Sequence, residues 1–413
     1  MNNTTHYTKE QIRNGIFLFF LSQGLCFSTW ASRIPDVKEL FTGDDAFYWG
    51  MILFLIPVGK FIAIPLAGYL VSKLGSRTMV QVSIVGYALS LLAIGLSPTI
   101  WLLGVALFCF GVFWNMCDIS LNTQGIQVER IFRRTIMASF HGCWSLAACV
   151  GALIGFIMIV SGIEPRLHFA MVSLLILLMV LYGRRFLQEE KEEPANEKPL
   201  ASEPSKQAEP VMLRFVKNPE MLLLKLGLLG LFALIVESAM FDWSNVYFES
   251  VLQVPKSMQI GFLVFMIMMT VGRFLTNWAY GLFGRRKVLQ IAGALIFIGF
   301  FVNGLMGRMF DSMVMTVIVN SIGFMFVGFG ISCMVPTIYS FVGAKSKTPV
   351  GIALTILSSI SFIGSLIAPL LIGYVTQTFG MQTAYVIIGI LGLFILLMAT
   401  FSNAFRSNEE NAY

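Results

Sequence analysis

Charge is what this sequence has least of. Of its 413 residues only 12% are Asp, Glu, Lys or Arg, while 57% are hydrophobic. Soluble domains carry about 25% charged residues. At a mean hydropathy of +0.79 there are too few polar faces to wrap the apolar segments in water, which excludes one large soluble domain. Histidine is scarce too: His6, His141 and His168 are the only three. No H-E-x-x-H or comparable cluster accompanies them, so neither a metal nor another cofactor is expected. The six cysteines, Cys26, Cys109, Cys117, Cys143, Cys149 and Cys333, include no C-x-x-C pair. All fall in apolar segments and read as small buried hydrophobes, which say little about redox compartment. There is no Walker motif, so ATP-driven transport by this chain alone is unsupported. The net charge of +6 is no nucleic-acid signal, because no basic cluster alternates with aromatics on a polar surface.

What the chain does have is long apolar runs. A membrane crossing needs about 20 mostly apolar residues, and twelve candidates emerge, from about 12–33 to about 382–403. The first is too long for an ordinary signal-peptide core and is followed by charge, so it reads as an uncleaved span. Between spans six and seven lies "QEEKEEPANEKPLASEPSKQAEP", Gln188–Pro210, which lacks apolar periodicity and reads as a disordered linker. The expected organisation is a six-helix bundle over 1–186, a disordered cytoplasmic linker over 187–218 and a second six-helix bundle over 219–413. With a cytoplasmic N-terminus, 20 of the 28 Lys and Arg fall on the cytoplasmic side, among them Arg130, Arg133, Arg134, Arg285, Arg286, Lys345 and Lys347. Lys38, Arg166, Lys256 and Arg308 fall outside, and Arg33, Lys60, Lys225 and Arg273 lie in or at the edges of spans. That bias predicts both termini cytoplasmic.

One of these cations sits in the middle of "FLIPVGKFIAIPLAGYL", Phe54–Leu70. An ionised group at the centre of a membrane helix costs about 2.5–3.5 kcal/mol on insertion scales, so something must offset Lys60. Its stretch "PVGKFIAIPLAGYLVSKLGSRTMV" has a counterpart in "TVGRFLTNWAYGLFGRRKVLQ" of span eight. Both carry V-G-[KR]-F, an apolar run, and a basic loop that opens on glycine. Lys60 and Arg273 thus hold corresponding places in two halves of a duplicated unit. Parallel repeats of this kind place a substrate site near the bilayer midplane, between the halves.

The chain resembles the major facilitator superfamily over nearly all its length. The loop "GYLVSKLGSR", Gly68–Arg77, is similar to that superfamily's G-x-L-x-D-R-x-G-R-R signature, with Ser72 where the family has Asp. Gly281 holds the matching place in the second half, so the family's charge latch is in question in both. Within the superfamily, "DISLNTQG" (Asp118–Gly125), "FHGCWS" (Phe140–Ser145) and "ESAMFDWS" (Glu237–Ser244) resemble the fucose permease-like branch of proton symporters. The resemblance implies an all-α membrane fold of twelve helices in two pseudo-symmetric bundles, alternating access, and proton coupling at Asp118, the acid four residues before Asn122. The permease's first-span Asp is replaced by Ala31, with Arg33 and Asp36 nearby, which weakens the case for fucose itself.

Ionisable residues inside a membrane are functional candidates and usually face a cavity or pair with one another. Lys60 and Arg273 are the cations, and each fits either substrate binding or a structural ion pair. Asp118 and Glu237 are candidates for proton coupling. Glu237 and Asp242 are five apart, so their faces differ by about 140°; Glu237 is the deeper, and Asp242 suits a gate. Arg33, at an outer helix end, reads first as a snorkelling cation and otherwise as part of the gate. His141 and Trp144 share a helix face and suit one cavity wall. Asn122, Trp114 and Trp30 complete the substrate-binding candidates. Gly151 and Gly155, and the Gly323, Gly328 and Gly330 cluster, read as close helix packing.

The expectation is a proton-coupled secondary transporter of a small polar, sugar-like or anionic solute in an inner membrane. Its partners would be that solute, protons and the bilayer, with no nucleic acid, and the chain would act as a monomer. Efflux of amphipathic compounds on the same fold is the alternative, favoured by 37 Phe and 23 Met. A solute sensor is more remote. A membrane-embedded enzyme is more remote still: His141 and Ser145 are four apart, but no oxyanion donors or third orienting residue accompany them.

Overall fold

The computed structural model describes residues 7–132, 136–189, 220–346, 348, 350–402 and 405. Among these every regular element is helical. Eleven segments are long and apolar enough to cross a bilayer. The longest, Lys256–Met306, has 51 residues, more than twice the ~20 that a crossing needs. It breaks at Gly284, whose φ of 71° and ψ of 158° suit glycine far better than any residue with a Cβ. Two crossing helices meet there, so the twelve expected spans are present. Gly75, its counterpart in the repeat, ends the second span at φ 78° and ψ 149°. The two loop glycines matched by sequence thus adopt the same turn.

The chain divides into two compact units. Unit 1 is Met1–Lys191 with Val254–Met266, and unit 2 is Glu192–Gln253 with Ile267–Tyr413. Val254–Met266 falls in the stretch assigned from sequence to the second bundle, yet it belongs with unit 1. Of the expected 187–218 linker, only residues 187–189 are described; the rest lies outside the described residues, as do Arg133, Arg134 and Lys347.

In unit 1, α1 (Lys9–Ser32) opens on a capping box: Thr8 Oγ1 accepts from the Gln11 amide at 3.2 Å and Gln11 Oε1 from the Thr8 amide at 2.9 Å. Short α2 (Ile34–Phe41) and α3 (Ala46–Leu53) follow, then α4 (Leu55–Leu74), α5 (Ser76–Leu96), α6 (Ile100–Phe132), α7 (Met137–Val160) and α8 (Pro165–Gly183). Helix α4 packs on α6, α1 on α7 and α8, and α5 on α6 and α8. Small residues set these approaches. A Cβ on Gly151 or Gly155 would collide with the Ser28 or Ser32 hydroxyl of α1, which is the close packing expected of that pair. Where α4 crosses α6, a Cβ on Gly59 would strike the Phe108 carbonyl, and one on Gly111 the Ile56 carbonyl.

Unit 2 contains α9 (Met221–Val246), the larger part of the broken α10 (Gly261–Met306), α11 (Met313–Ser332), α12 (Met334–Lys345), α13 (Val350–Phe379) and α14 (Met381–Phe401). Helix α9 packs on α13. On α11, Gly323 and Gly330 lie against the backbone carbonyls of Gly299 and Ala292. Large apolar side chains such as Leu102, Leu174, Phe274 and Met313 stay exposed on the helices, as a surface that faces lipid requires.

Candidate functional site

Lys60 lies one residue past Gly59, at the α4–α6 crossing. The close backbone approach brings its ammonium 2.9 Å from the centroid of the Trp114 ring on α6. Both residues are half-buried. A desolvated cation over an indole face gains about 2 kcal/mol or more, a large part of the cost of placing the ion at membrane depth. The ring is held in turn by Phe27 at 4.9 Å, Tyr87 at 6.0 Å and Phe110 at 6.2 Å between centroids. Asp118 and Asn122 follow Trp114 on α6 at steps of four, so the three form one stripe. Both are half-buried, and the Asn122 Oδ1 is buried without a hydrogen-bond partner among the described residues. Unit 1 therefore holds a cation on an aromatic face at the α4–α6 crossing, with a carboxylate and an amide one and two turns further along the same stripe of α6.

Helix α7 adds a second wall. Trp144 stacks on Phe27 with centroids 5.6 Å apart, and His141 meets Phe20 edge-on at 5.6 Å. Phe20 and Phe27 are seven residues apart on α1, two helical turns, so His141 and Trp144 face the same side of α1. His141 is exposed and Trp144 half-buried. The Ser145 hydroxyl donates to the His141 backbone carbonyl at 3.0 Å. Trp30 stands differently: it is 1% exposed and packs against Trp49 and Phe110. It contacts the site through Phe110 rather than offering an open stacking face.

Arg33 does not snorkel; its side chain is 2% exposed. The chain breaks at Arg33 between α1 and α2, which turns the guanidinium inward. There it pairs with Asp36 at 2.8 Å and donates to His168 Nδ1 at 3.3 Å and to the Ile163 carbonyl just past α7. Asp36 also takes Lys256 at 2.9 Å. A cation held by a carboxylate and a carbonyl beyond a helix C-terminus is well satisfied without water.

In unit 2, Arg273 on α10 pairs with Glu237 on α9 at 3.4 Å, with side chains 27% and 18% exposed. The two residues singled out separately from the sequence thus form one ion pair. Asp242 lies five residues on along α9, half-buried. The sequence reading missed a second polar cluster in this unit. The Tyr247 hydroxyl lies 2.5 Å from the Asn303 carbonyl and 3.0 Å from Asn320 Oδ1. Asn320 Nδ2 donates to the Gly307 and Thr316 carbonyls. Tyr385 stacks on Tyr247 at 4.7 Å. Tyr247 opens a π-helical turn, Tyr247–Val251, a feature frequent at functional sites. The available signal was two asparagines, Asn303 and Asn320, inside apolar spans.

The family described as Major Facilitator Superfamily matches residues 14–349. A Yersinia pestis protein described as an uncharacterised MFS-type transporter is 28% identical over 388 residues, 94% of each chain. The membrane protein MosC of Rhizobium meliloti is 25% identical over 398 residues, 95% of this chain and 90% of that one. Among solved structures, the nucleoside transporter NupG superposes with a TM-score of 0.73 at 14% identity, covering 97% of this chain and 99% of that one. A D-xylose-proton symporter gives 0.72 at 14% identity, covering 94% and 97%. These structural likenesses speak for the fold.

Proposed function

Because the chain belongs to the Major Facilitator Superfamily, a family of membrane transporters, we propose that it is a secondary active carrier which moves a small polar organic solute, sugar-like or anionic, together with protons by alternating access. The observation that carries this reading is the Lys60 ammonium on the Trp114 face, with Asp118 and Asn122 on the same stripe of α6. An aromatic face suits the apolar side of a ring, the amide and the cation suit hydroxyl or carboxylate oxygens, and the acid is titratable. Two structures of the same fold, described as a nucleoside transporter and a D-xylose-proton symporter, support the solute class and the coupling. The motifs at Asp118–Gly125, Phe140–Ser145 and Glu237–Ser244 support the fucose permease-like branch.

In this reading Lys60, Trp114, Asn122, His141 and Trp144 contact solute, and Trp30 backs the wall through Phe110. Asp118 is the principal proton carrier. Glu237 is the second: a proton taken up there neutralises its charge and frees Arg273 for an anionic group. Arg33 and Asp242 belong to the gate. Both termini face the cytoplasm, and the membrane is an inner membrane. Solutes are first sorted by binding of labelled sugars, sugar acids and amino acids to purified protein. The coupling test then uses Asp118→Asn in proteoliposomes. The variant is expected to lose pH-driven accumulation and to keep counterflow exchange at equal pH. Undiminished pH-driven uptake would move the coupling to Glu237 or remove protons from the mechanism.

A further inference from the structure

Ser72 stands where the superfamily's loop signature has an acid, and its hydroxyl bonds back to the Tyr69 carbonyl of its own helix at 2.8 Å. A few residues away, a different device joins the same end of unit 1. Gln124 on α6 is 0% exposed. Its Nε2 donates to Ser76 Oγ, at the start of α5, at 2.8 Å and to the Gln188 carbonyl, beyond α8, at 2.9 Å. Its Oε1 accepts from the Gln188 amide at 2.9 Å. The side-chain amide thus pairs with the main chain of Gln188 through two reciprocal bonds, as one strand pairs with another. Gln127 lies one turn on and donates to Ser76 Oγ at 3.3 Å. Beside the clasp, Phe186 and Leu187 are 7% and 3% exposed, with Phe186 packed on Tyr7 and Tyr182. One ion pair stands at the rim, Arg77 with Glu189, whose side chains are 37% and 80% exposed; such a pair contributes little.

We infer that Gln124 is the keystone of a neutral clasp that straps the chain leaving α8 onto the ends of α5 and α6, a task done here by one buried side-chain amide rather than by charge. The clasp stands on its own geometry and does not depend on which solute is carried. A buried amide that satisfies a backbone N–H and a backbone C=O is costly to remove, because both groups of half-buried Gln188 would then lose these partners. It is also indifferent to salt, which screens ion pairs between exposed groups. The same residue ties the strap to α6, the helix that carries Trp114, Asp118 and Asn122.

The strap is tested with Leu187→Cys in membrane vesicles, labelled by a water-soluble maleimide. Labelling is read as the excess over the otherwise native chain with its six cysteines. The buried thiol is expected to react slowly. Adding Gln124→Leu, or the isosteric Gln124→Glu that turns the donor toward the Gln188 carbonyl into an acceptor, is expected to speed labelling about tenfold. Adding Arg77→Gln, or raising the salt, is expected to leave it unchanged. Thermal unfolding of each variant checks that it is folded, and Gln124→Glu decides if Gln124→Leu does not fold. Labelling of residue 187 that is fast in the otherwise native chain overturns the inference. So does labelling unmoved by the Gln124 change, or raised as much by Arg77→Gln or by salt.

Discussion

At the scale of single residues, Lys60 is the most informative group in the chain. Its cation sits on an indole, 2.9 Å from the ring centroid, which accounts for its survival in an apolar run. Two roles predict different behaviour of Lys60→Met. If the ammonium serves an anionic solute, binding weakens at least about tenfold, a loss of about 1.4 kcal/mol, while the unfolding temperature barely moves. If it serves to hold α4 on α6, stability falls by about 1–2 kcal/mol through the lost cation–π contact and binding follows only indirectly. Solute binding and thermal unfolding measured on one purified variant separate the two. Normal values for both would take Lys60 out of the site. The spacing of Asp118 and Asn122 was legible in the sequence, since a step of four places residues on one stripe. That Trp114 begins the same stripe and carries the cation was not, because the meeting depends on which helix α4 crosses.

At the scale of elements, the α4–α6 crossing is what brings Lys60 onto Trp114. Gly59 and Gly111 let the two backbones touch, and each would meet a carbonyl of the other helix if it bore a Cβ. Membrane helices lack a strong hydrophobic drive to associate and rely on such close packing. Gly111→Ala is therefore expected to push the helices apart and cost about 1–3 kcal/mol, as overpacking does. The same change at Gly68, where a Cβ meets nothing within 4 Å, should be silent. Detergent-solubilised unfolding temperatures compare the two directly, and equal values would show that the crossing tolerates separation. The G-x-x-x-G pair Gly151 and Gly155 announced its packing role by spacing. Neither Gly59 nor Gly111 has another glycine four residues away, so no G-x-x-x-G spacing marked them.

At the scale of the whole molecule, the distribution of Lys and Arg makes a topological claim. Reporter fusions after residue 413 and within 190–210 are expected to show cytoplasmic activity only. Activity of a periplasm-dependent reporter at either place would overturn the topology. The two halves were also visible as a repeat. V-G-[KR]-F followed by a glycine-initiated basic loop recurs, and Gly75 and Gly284 adopt matching left-handed turns. The repeat did not foretell that the cations would differ in company, Lys60 on an aromatic ring and Arg273 on Glu237.

By itself the sequence determined the class of this protein: a scarcity of charge and a run of about 20 apolar residues repeated twelve times leave helices in a bilayer as the one arrangement that satisfies every backbone group. It also determined the family, through motifs whose residues are near neighbours in the chain. Only the tertiary structure decided the partners. Arg33 reads as a snorkelling end group until α1 breaks beside it and turns it onto Asp36 and His168. Val254–Met266 reads as part of the second half until it takes its place in unit 1. Gln124 reads as one polar letter of a motif until Gln188 reaches it from 64 positions along the chain. Periodicity records which face of a helix a residue occupies, but which other helix that face meets is fixed by packing at long range, and no local pattern carries that information.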